Sequence, residues 1–219
     1  MSQALSRKGS VRPVVVVRGS VDTGLMHKAR RGRFHDAVLD REFVRILPGD
    51  YYATRDNITL TTVLGSCVAA CIYDPRLPVG GMNHFMLPSG ASDVTSNSAR
   101  YGLYAMEVLI NELINLGASK RNLRAKVFGG GRVLRNMIAL NVGARNAAFA
   151  IEFLANEGIP IVSQDLEDTY ARKVLFFPLT GRALVKRIDP STDASVERGE
   201  VEYSQTISTR PVAGDVELF

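Results

Sequence analysis

Thr61-Thr62-Val63-Leu64-Gly65-Ser66-Cys67-Val68-Ala69-Ala70-Cys71-Ile72-Tyr73-Asp74-Pro75 is the stretch on which the reading of this chain turns. Val68 to Tyr73 is a compact run of small, β-branched and aromatic side chains closed by Asp74-Pro75, which predicts a buried strand. Ile58 to Val63 predicts a second extended segment. Between them, Leu64-Gly65-Ser66-Cys67 forms a small-residue turn from which a thiol can protrude while neighbouring backbone N–H groups stay free. After a turn around Pro75 to Pro78, Val79 to Leu87 predicts the next strand, carrying Gly80-Gly81-Met82-Asn83-His84 and ending at Pro88-Ser89-Gly90. Two strands joined so briefly form a hairpin, so the beginning of the first lies near the later part of the second.

Working outward, Glu42 to Leu47 followed by Pro48-Gly49-Asp50 predicts a first strand and turn, and Tyr51 to Ala53 a further extended segment. Downstream, Tyr101, Tyr104, Ala105, Val108, Leu109, Leu113 and Leu116 recur at three- and four-residue spacing, with Gly117 where a C-terminal cap belongs. This predicts a helix. A second helix is expected from about Ala144 to Asn156, stopped by Gly158. Asn122 to Phe128, Ile159 to Ser163, Lys173 to Pro178 and Arg182 to Ile188 predict the remaining strands, the last two joined at Leu179-Thr180-Gly181. Strands outnumber helices, and several connections are too short for a crossover helix. The expected fold class is α/β: an α/β sandwich with a mixed or largely antiparallel sheet core and two principal helices.

The length of 219 residues allows one sizeable core with tails. Residues 1–40 are expected to be a basic flexible N-terminal extension, 41–190 the catalytic domain and 191–219 a polar C-terminal tail. The formal charge of +5 invites a nucleic-acid reading, but residues 1–34 alone carry +7. The rest is therefore slightly acidic, and neither nucleic-acid binding nor membrane insertion is expected. No apolar run reaches the ~18–20 residues of a membrane helix, and only two cysteines are present. With no secretory signal visible, the expected location is a reducing cytoplasm with free thiols.

The chemistry centres on Cys67. A thiol is a poor nucleophile near neutrality unless a base adjoins it. The three histidines are His27, His35 and His84, and the first two fall in the basic extension. His84 is thus the candidate base, brought to Cys67 across the hairpin. Backbone N–H groups of Ser66 and Cys67 are placed to receive an oxyanion. Thr61, six residues before the cysteine, is expected to hydrogen-bond the second imidazole nitrogen, with Thr62 on the opposite strand face. Taken singly, a cysteine among small residues is more often packing than nucleophile, and a lone histidine more often a satisfied core group. Cys71 is expected to be core. Ser66 lacks the stronger base and acid a serine nucleophile needs, and Gly129-Gly130-Gly131 lacks the Gly-Lys-Ser/Thr of a phosphate loop and predicts a tight turn near the site. No cofactor or metal is required; two cysteines and one domain histidine make a poor ligand set.

The runs TTVLGSCVAACIYDP (61–75), GGMNHFMLP (80–88), AKVFGGG (125–131) and GARNAAFAIEFLANEGIPIVSQDL (143–166) together resemble the CheD family of bacterial chemotaxis proteins. The likeness extends over roughly residues 46–188. It implies a deamidase that converts glutamines of methyl-accepting chemoreceptors to glutamate with release of ammonia, on a fold shared with certain toxin deamidases. It maps the family's catalytic cysteine, histidine and threonine onto Cys67, His84 and Thr61. The implied partners are chemoreceptor cytoplasmic domains and, in some bacteria, a CheC-like phosphatase. The implied substrate is a receptor coiled-coil helix with exposed glutamine. One departure stands out: where the family tends to carry glycines before an arginine, this chain has Glu167-Asp168-Thr169-Tyr170-Ala171-Arg172. Two rival readings use the same residues: another thiol enzyme (peptidase, transglutaminase or acyltransferase), and a non-catalytic module that binds receptors or a phosphatase.

Overall fold

The structure, a computed structural model, describes residues 27–29, 33–37, 40–88, 97–133, 142–188 and 195–209. Eleven strands form two sheets: β1 (His27–Lys28), β2 (Arg33–Asp36), β3 (Arg41–Arg45), β4 (Asp50–Thr54), β5 (Thr59–Leu64), β6 (Val68–Asp74), β7 (Val79–Asn83), β8 (Arg124–Gly129), β9 (Ile161–Leu166), β10 (Ala171–Phe177) and β11 (Arg182–Ile188). The first sheet has the order β1-β4-β7-β6-β8-β9, and the second β11-β10-β5-β3-β2. Pairing is largely antiparallel, with β1–β4, β3–β5 and β8–β9 parallel. The helices are α1 (Asn97–Asn115), α2 (Val142–Asn156) and α3 (Ser195–Thr209). This is the α/β sandwich with a mixed sheet core that the strand pattern predicts.

Two neighbouring glycines show how the layers stack. Consecutive strand residues face opposite sides of a sheet. On β7, a Cβ at Gly81 would press on Leu109 of α1, whereas one at Gly80 would press on Pro178 at the end of β10. Helix α1 therefore covers one face of the six-stranded sheet and the five-stranded sheet covers the other. Tyr73, paired with Gly80, meets Phe176 at 6.5 Å between ring centroids on that second face. Between the layers lies a continuous core that includes Leu60, Leu64, Ile72, Met82, Phe85, Leu109 and Phe176, all fully buried.

The β6–β7 hairpin forms as its short turn requires, with Cys71 opposite Met82 and Asp74 opposite Val79. Asp74 holds that turn: its carboxylate accepts the N–H groups of Arg76 and Ser119. Helix α1 buries Tyr101, Ala105, Leu109 and Leu113 of the expected stripe, with Tyr104, Val108 and Leu116 partly buried against the core and Met106 buried in addition, and stops before Gly117 with φ of 98°.

Both expected tails contain regular elements among the described residues. Residues beyond Pro190 are not simply a polar tail, because they contain α3. Its inward face is Glu200, Tyr203, Ser204 and Ile207, which is helical spacing without a mainly apolar stripe, so hydrophobic periodicity does not reveal it. At the other end, β1 and β2 lie within the expected flexible extension, β2 pairing with β3 at a sheet edge.

Gly129 and Gly158 both have positive φ, at 113° and 68°, but differ in surroundings. A Cβ at Gly129 would fall 2.1 Å from the carbonyl oxygen of Cys67, while one at Gly158 meets nothing within 4 Å. Gly158→Ala should therefore cost about 1 kcal/mol of stability, the backbone term alone. Gly129→Ala should cost about 2 kcal/mol or more and displace the Cys67 loop. Urea denaturation of the two variants checks the ordering.

Candidate active site

Cys67 lies where the chain crosses between the sheets, since β5 belongs to one and β6 to the other. In this crossing the three carbonyls of Gly65, Ser66 and Cys67 are each tied on one side. Gly131 N–H donates to Gly65 O at 2.7 Å, Gly130 N–H to Cys67 O at 2.7 Å, and Asn146 Nδ2 of α2 to Ser66 O at 2.8 Å. Across a planar trans peptide, the N–H of the next residue points opposite to the carbonyl. Fixing the Gly65 and Ser66 carbonyls thus turns the Ser66 and Cys67 N–H groups to the other side, where they converge with that of Gly65. All three meet one carboxylate, that of Glu200 on α3: Gly65 N–H at 2.8 Å, Ser66 N–H at 2.7 Å and Cys67 N–H at 3.0 Å. The Ser66 hydroxyl adds a fourth donor at 2.7 Å. Convergent backbone N–H groups of this kind make an anion-binding nest.

His84 follows β7 directly. Its backbone is locked by His84 N–H to Asp50 O and Gly49 N–H to His84 O, each 2.9 Å. Reciprocal 2.9 Å bonds between Val68 and Phe85 continue the hairpin past it. This register sets His84 opposite Ala69, one diagonal step from Cys67 on the same face, a spacing that long side chains bridge. The imidazole Nδ1 is 2.8 Å from the Thr62 hydroxyl, which itself donates to Ile46 O at 2.7 Å. A hydroxyl has one proton. With that proton committed to Ile46, Thr62 accepts from Nδ1–H, and Nε2 is left with a bare lone pair. Nε2 is buried and has no hydrogen-bond partner.

Electrostatics match a resting pair. Burial pushes the His84 imidazole down to about 4, against an upward pull from the Glu200 charge and the Ile46 carbonyl. Burial, then the Glu200 charge and a hydrogen bond to that carboxylate, hold the Cys67 thiol well above its ordinary value. The site is therefore a neutral thiol and a neutral imidazole beside one anion.

The hairpin register sets His84 one diagonal step from Cys67, its Nε2 without a hydrogen-bond partner, and the N–H groups of Gly65, Ser66 and Cys67 converge on Glu200. The hydroxyl at 2.8 Å from the imidazole Nδ1 is that of Thr62, while Thr61 precedes it along β5 and its carbonyl accepts Ile46 N–H at 2.8 Å. Counting alternation back from Cys67 to Thr61 assumes an unbroken strand, and the turn at Gly65-Ser66 breaks it. Cys71 is buried as a free thiol in the sheet. His27 and His35 fall on edge strands β1 and β2.

Sequence reasoning missed Asn146 and Glu200. Asn146 also accepts Leu87 N–H at 2.9 Å, coupling the Gly65–Cys67 loop to the segment after His84. The Glu167-Asp168 departure has a structural outcome: both residues adopt positive φ, 62° and 69°, the conformation glycine favours. Through that turn Arg172 donates to the carbonyls of Gly129, Asp165 and Glu167. Among the described residues no three His, Cys, Asp or Glu side chains come together to hold a metal.

A buried thiol, an imidazole whose Nε2 has no hydrogen-bond partner and a nest of backbone N–H groups lie around this crossing. The chain belongs to the CheD family. The family model described as CheD chemotactic sensory transduction matches residues 86–187. A relative from Herminiimonas arsenicoxydans, named probable chemoreceptor glutamine deamidase CheD, is 51% identical over 189 residues, covering 85% of this chain and 93% of that one. A Shewanella oneidensis relative, named probable chemoreceptor glutamine deamidase CheD 1, is 50% identical over 190 residues, covering 85% and 92%. Among solved structures, a Bacillus licheniformis hypothetical protein, YfiH, aligns with a TM-score of 0.35 at 15% identity over 55% of this chain and 50% of that one. No helix among the described residues is long and apolar enough to cross a membrane.

Because the folded state resists protonation of His84 while the unfolded chain protonates near 6.5, the unfolded state binds more protons between those values. Stability should therefore fall as pH drops from about 6.5 towards 4, by on the order of 3 kcal/mol from this group. In His84→Gln this part of the decline should be missing. Thermal melts from pH 7 to pH 4 on both proteins measure it.

Proposed function

We propose that the protein is a cysteine-dependent deamidase that converts glutamine side chains of methyl-accepting chemoreceptors to glutamate and releases ammonia. The observation that carries this is the convergence of the Gly65, Ser66 and Cys67 N–H groups beside the Cys67 thiol. An amide carbonyl placed there meets donors aimed at the charge it develops, and one such donor contributes about 10²–10³ in rate. The names borne by the half-identical relatives supply the substrate.

In this reading His84 Nε2 takes the Cys67 proton as Sγ attacks the glutamine Cδ. The C=O electrons move onto oxygen, and the nest holds the resulting oxyanion. Collapse expels the amide nitrogen, which takes the proton from His84 and leaves as ammonia. Water, deprotonated by Nε2, then attacks the thioester. Glutamate is released and the thiol restored. The Ile46 carbonyl and Thr62 hydroxyl keep the Nδ1 proton in place throughout, so that Nε2 is the nitrogen that cycles. The chemistry is complete with these side chains and water, and its setting is the cytoplasm, where receptor signalling domains are exposed.

Peptide-level mass spectrometry of a chemoreceptor cytoplasmic domain incubated with the protein tests the reading. Gains of about one dalton at particular glutamines are expected with wild type and not with Cys67→Ala, while His84→Ala should lose about 10²–10⁴ in kcat. Ammonia must accumulate in equal amount. Receptor that is bound but unchanged would leave a binding module in place of an enzyme.

The orienting role divides the two threonines. Thr62→Val removes the hydroxyl that holds Nδ1 and should lower kcat about 10-fold or more, with little change in KM. Thr61→Val leaves that bond intact and should be milder. The opposite ordering would restore the assignment that the family resemblance gives to Thr61.

A further inference from the structure

The nest is occupied by the chain itself. Glu200 is 3% exposed, and both its oxygens are taken up by donors of the Gly65–Cys67 turn. The residue arrives on a helix. Within α3, Glu200, Tyr203, Ser204 and Ile207 face inward, while Arg198, Gly199, Val201, Glu202, Gln205 and Thr206 face solvent. That is a helix seated in a groove by positions i, i+3, i+4 and i+7. Its seat is made of Tyr101 of α1, whose hydroxyl meets that of Tyr203, and of Gly49, where an added Cβ would lie 3.0 Å from the Tyr203 hydroxyl. Ile207 closes it by joining the core.

A glutamate carboxylate is the product of glutamine deamidation, and here one is presented on a helix to the three N–H groups that would hold the oxyanion. We propose that α3 is an intramolecular stand-in for the substrate: it fills the groove where a receptor helix docks, places Glu200 where the reacting glutamine goes, and must be displaced for turnover. The inference rests on the deamidase reading of this site and deepens it. It defines the substrate as a glutamine on a helix that offers a small or aromatic residue three and four positions later and an apolar one at the seventh.

The chemistry argues against Glu200 as part of the machinery. A carboxylate in the nest occupies every donor that an oxyanion would use, and its charge opposes formation of the Cys67 thiolate. An occupant of this kind lowers apparent affinity by the fraction of molecules in the closed state, without altering the chemistry of those that open.

Alkylation of Cys67 by iodoacetamide, followed at peptide level in the full chain, reads the occupancy directly, with Cys71 as the internal reference. Glu200→Ala and Tyr203→Ala should each speed Cys67 modification at least tenfold over wild type and leave Cys71 unmodified. Tyr203→Ala loosens the helix without removing a nest ligand, so it stands if Glu200→Ala does not fold. In the same variants, kcat/KM for receptor domain should rise several-fold, mainly through KM. Modification no faster in either cooperatively melting variant overturns the proposal. Faster modification with a loss of receptor turnover also overturns it, since that is the signature of a brace for the loop. Faster modification with no deamidation by any form, wild type included, keeps α3 as the cover of the thiol and rejects the deamidase reading instead.

Discussion

Three successive N–H groups pointing at one place is a demanding arrangement for a backbone, because the carbonyls between them must be satisfied from the opposite side. Gly131 and Asn146 meet that demand here, and Gly130 ties the Cys67 carbonyl that follows. Each in turn imposes a condition. Gly129 and Gly130 need positive φ, and Gly143 at the start of α2 needs no side chain, since a Cβ there would lie 2.3 Å from Gly130 O. Arg172, fully buried, ties Gly129 O at 3.0 Å to the turn between β9 and β10. The Gly65–Cys67 loop is thus held from α2, from β8 and from β10, which is to say from both sheets and a helix.

The same crossing explains the rest of the site. A loop that passes from the five-stranded to the six-stranded sheet can be watched from both: Thr62 comes from the first, His84 from the second, and their hydrogen bond at 2.8 Å joins the layers at the thiol. Burial does the remaining work by keeping the imidazole neutral, which a general base requires. It also pushes the thiol well above its ordinary value, together with the charge of the carboxylate now in the nest.

Much of this was legible in the chain. Val68 to Asp74 reads as a strand from its β-branched and small residues, and its short link to Val79 demands a hairpin, which the register confirms. Glycine runs mark the tight backbone at 129–131. What failed did so for physical reasons. Thr61 and Thr62 cannot be told apart by alternation once a turn intervenes before Cys67. Glu167 and Asp168 take up glycine-like conformations that their residue types do not announce. Glu200 stands 133 residues beyond Cys67 in sequence, on a helix whose buried face is polar at its most important position, so neither periodicity nor a local motif points to it. Asn146 is the one polar side chain on the buried face of α2, and only its two bonds in space reveal its purpose.

The central claim is that Cys67 forms a thioester with the substrate's side-chain carbonyl. Turnover of a receptor domain in the presence of hydroxylamine tests it most directly, because hydroxylamine intercepts a thioester and leaves a hydroxamate, about 16 dalton heavier than glutamine, at the modified position. The account predicts hydroxamate at the same glutamines that otherwise become glutamate, with wild type and not with Cys67→Ala. Glutamate alone, formed at the normal rate under saturating hydroxylamine, would contradict it.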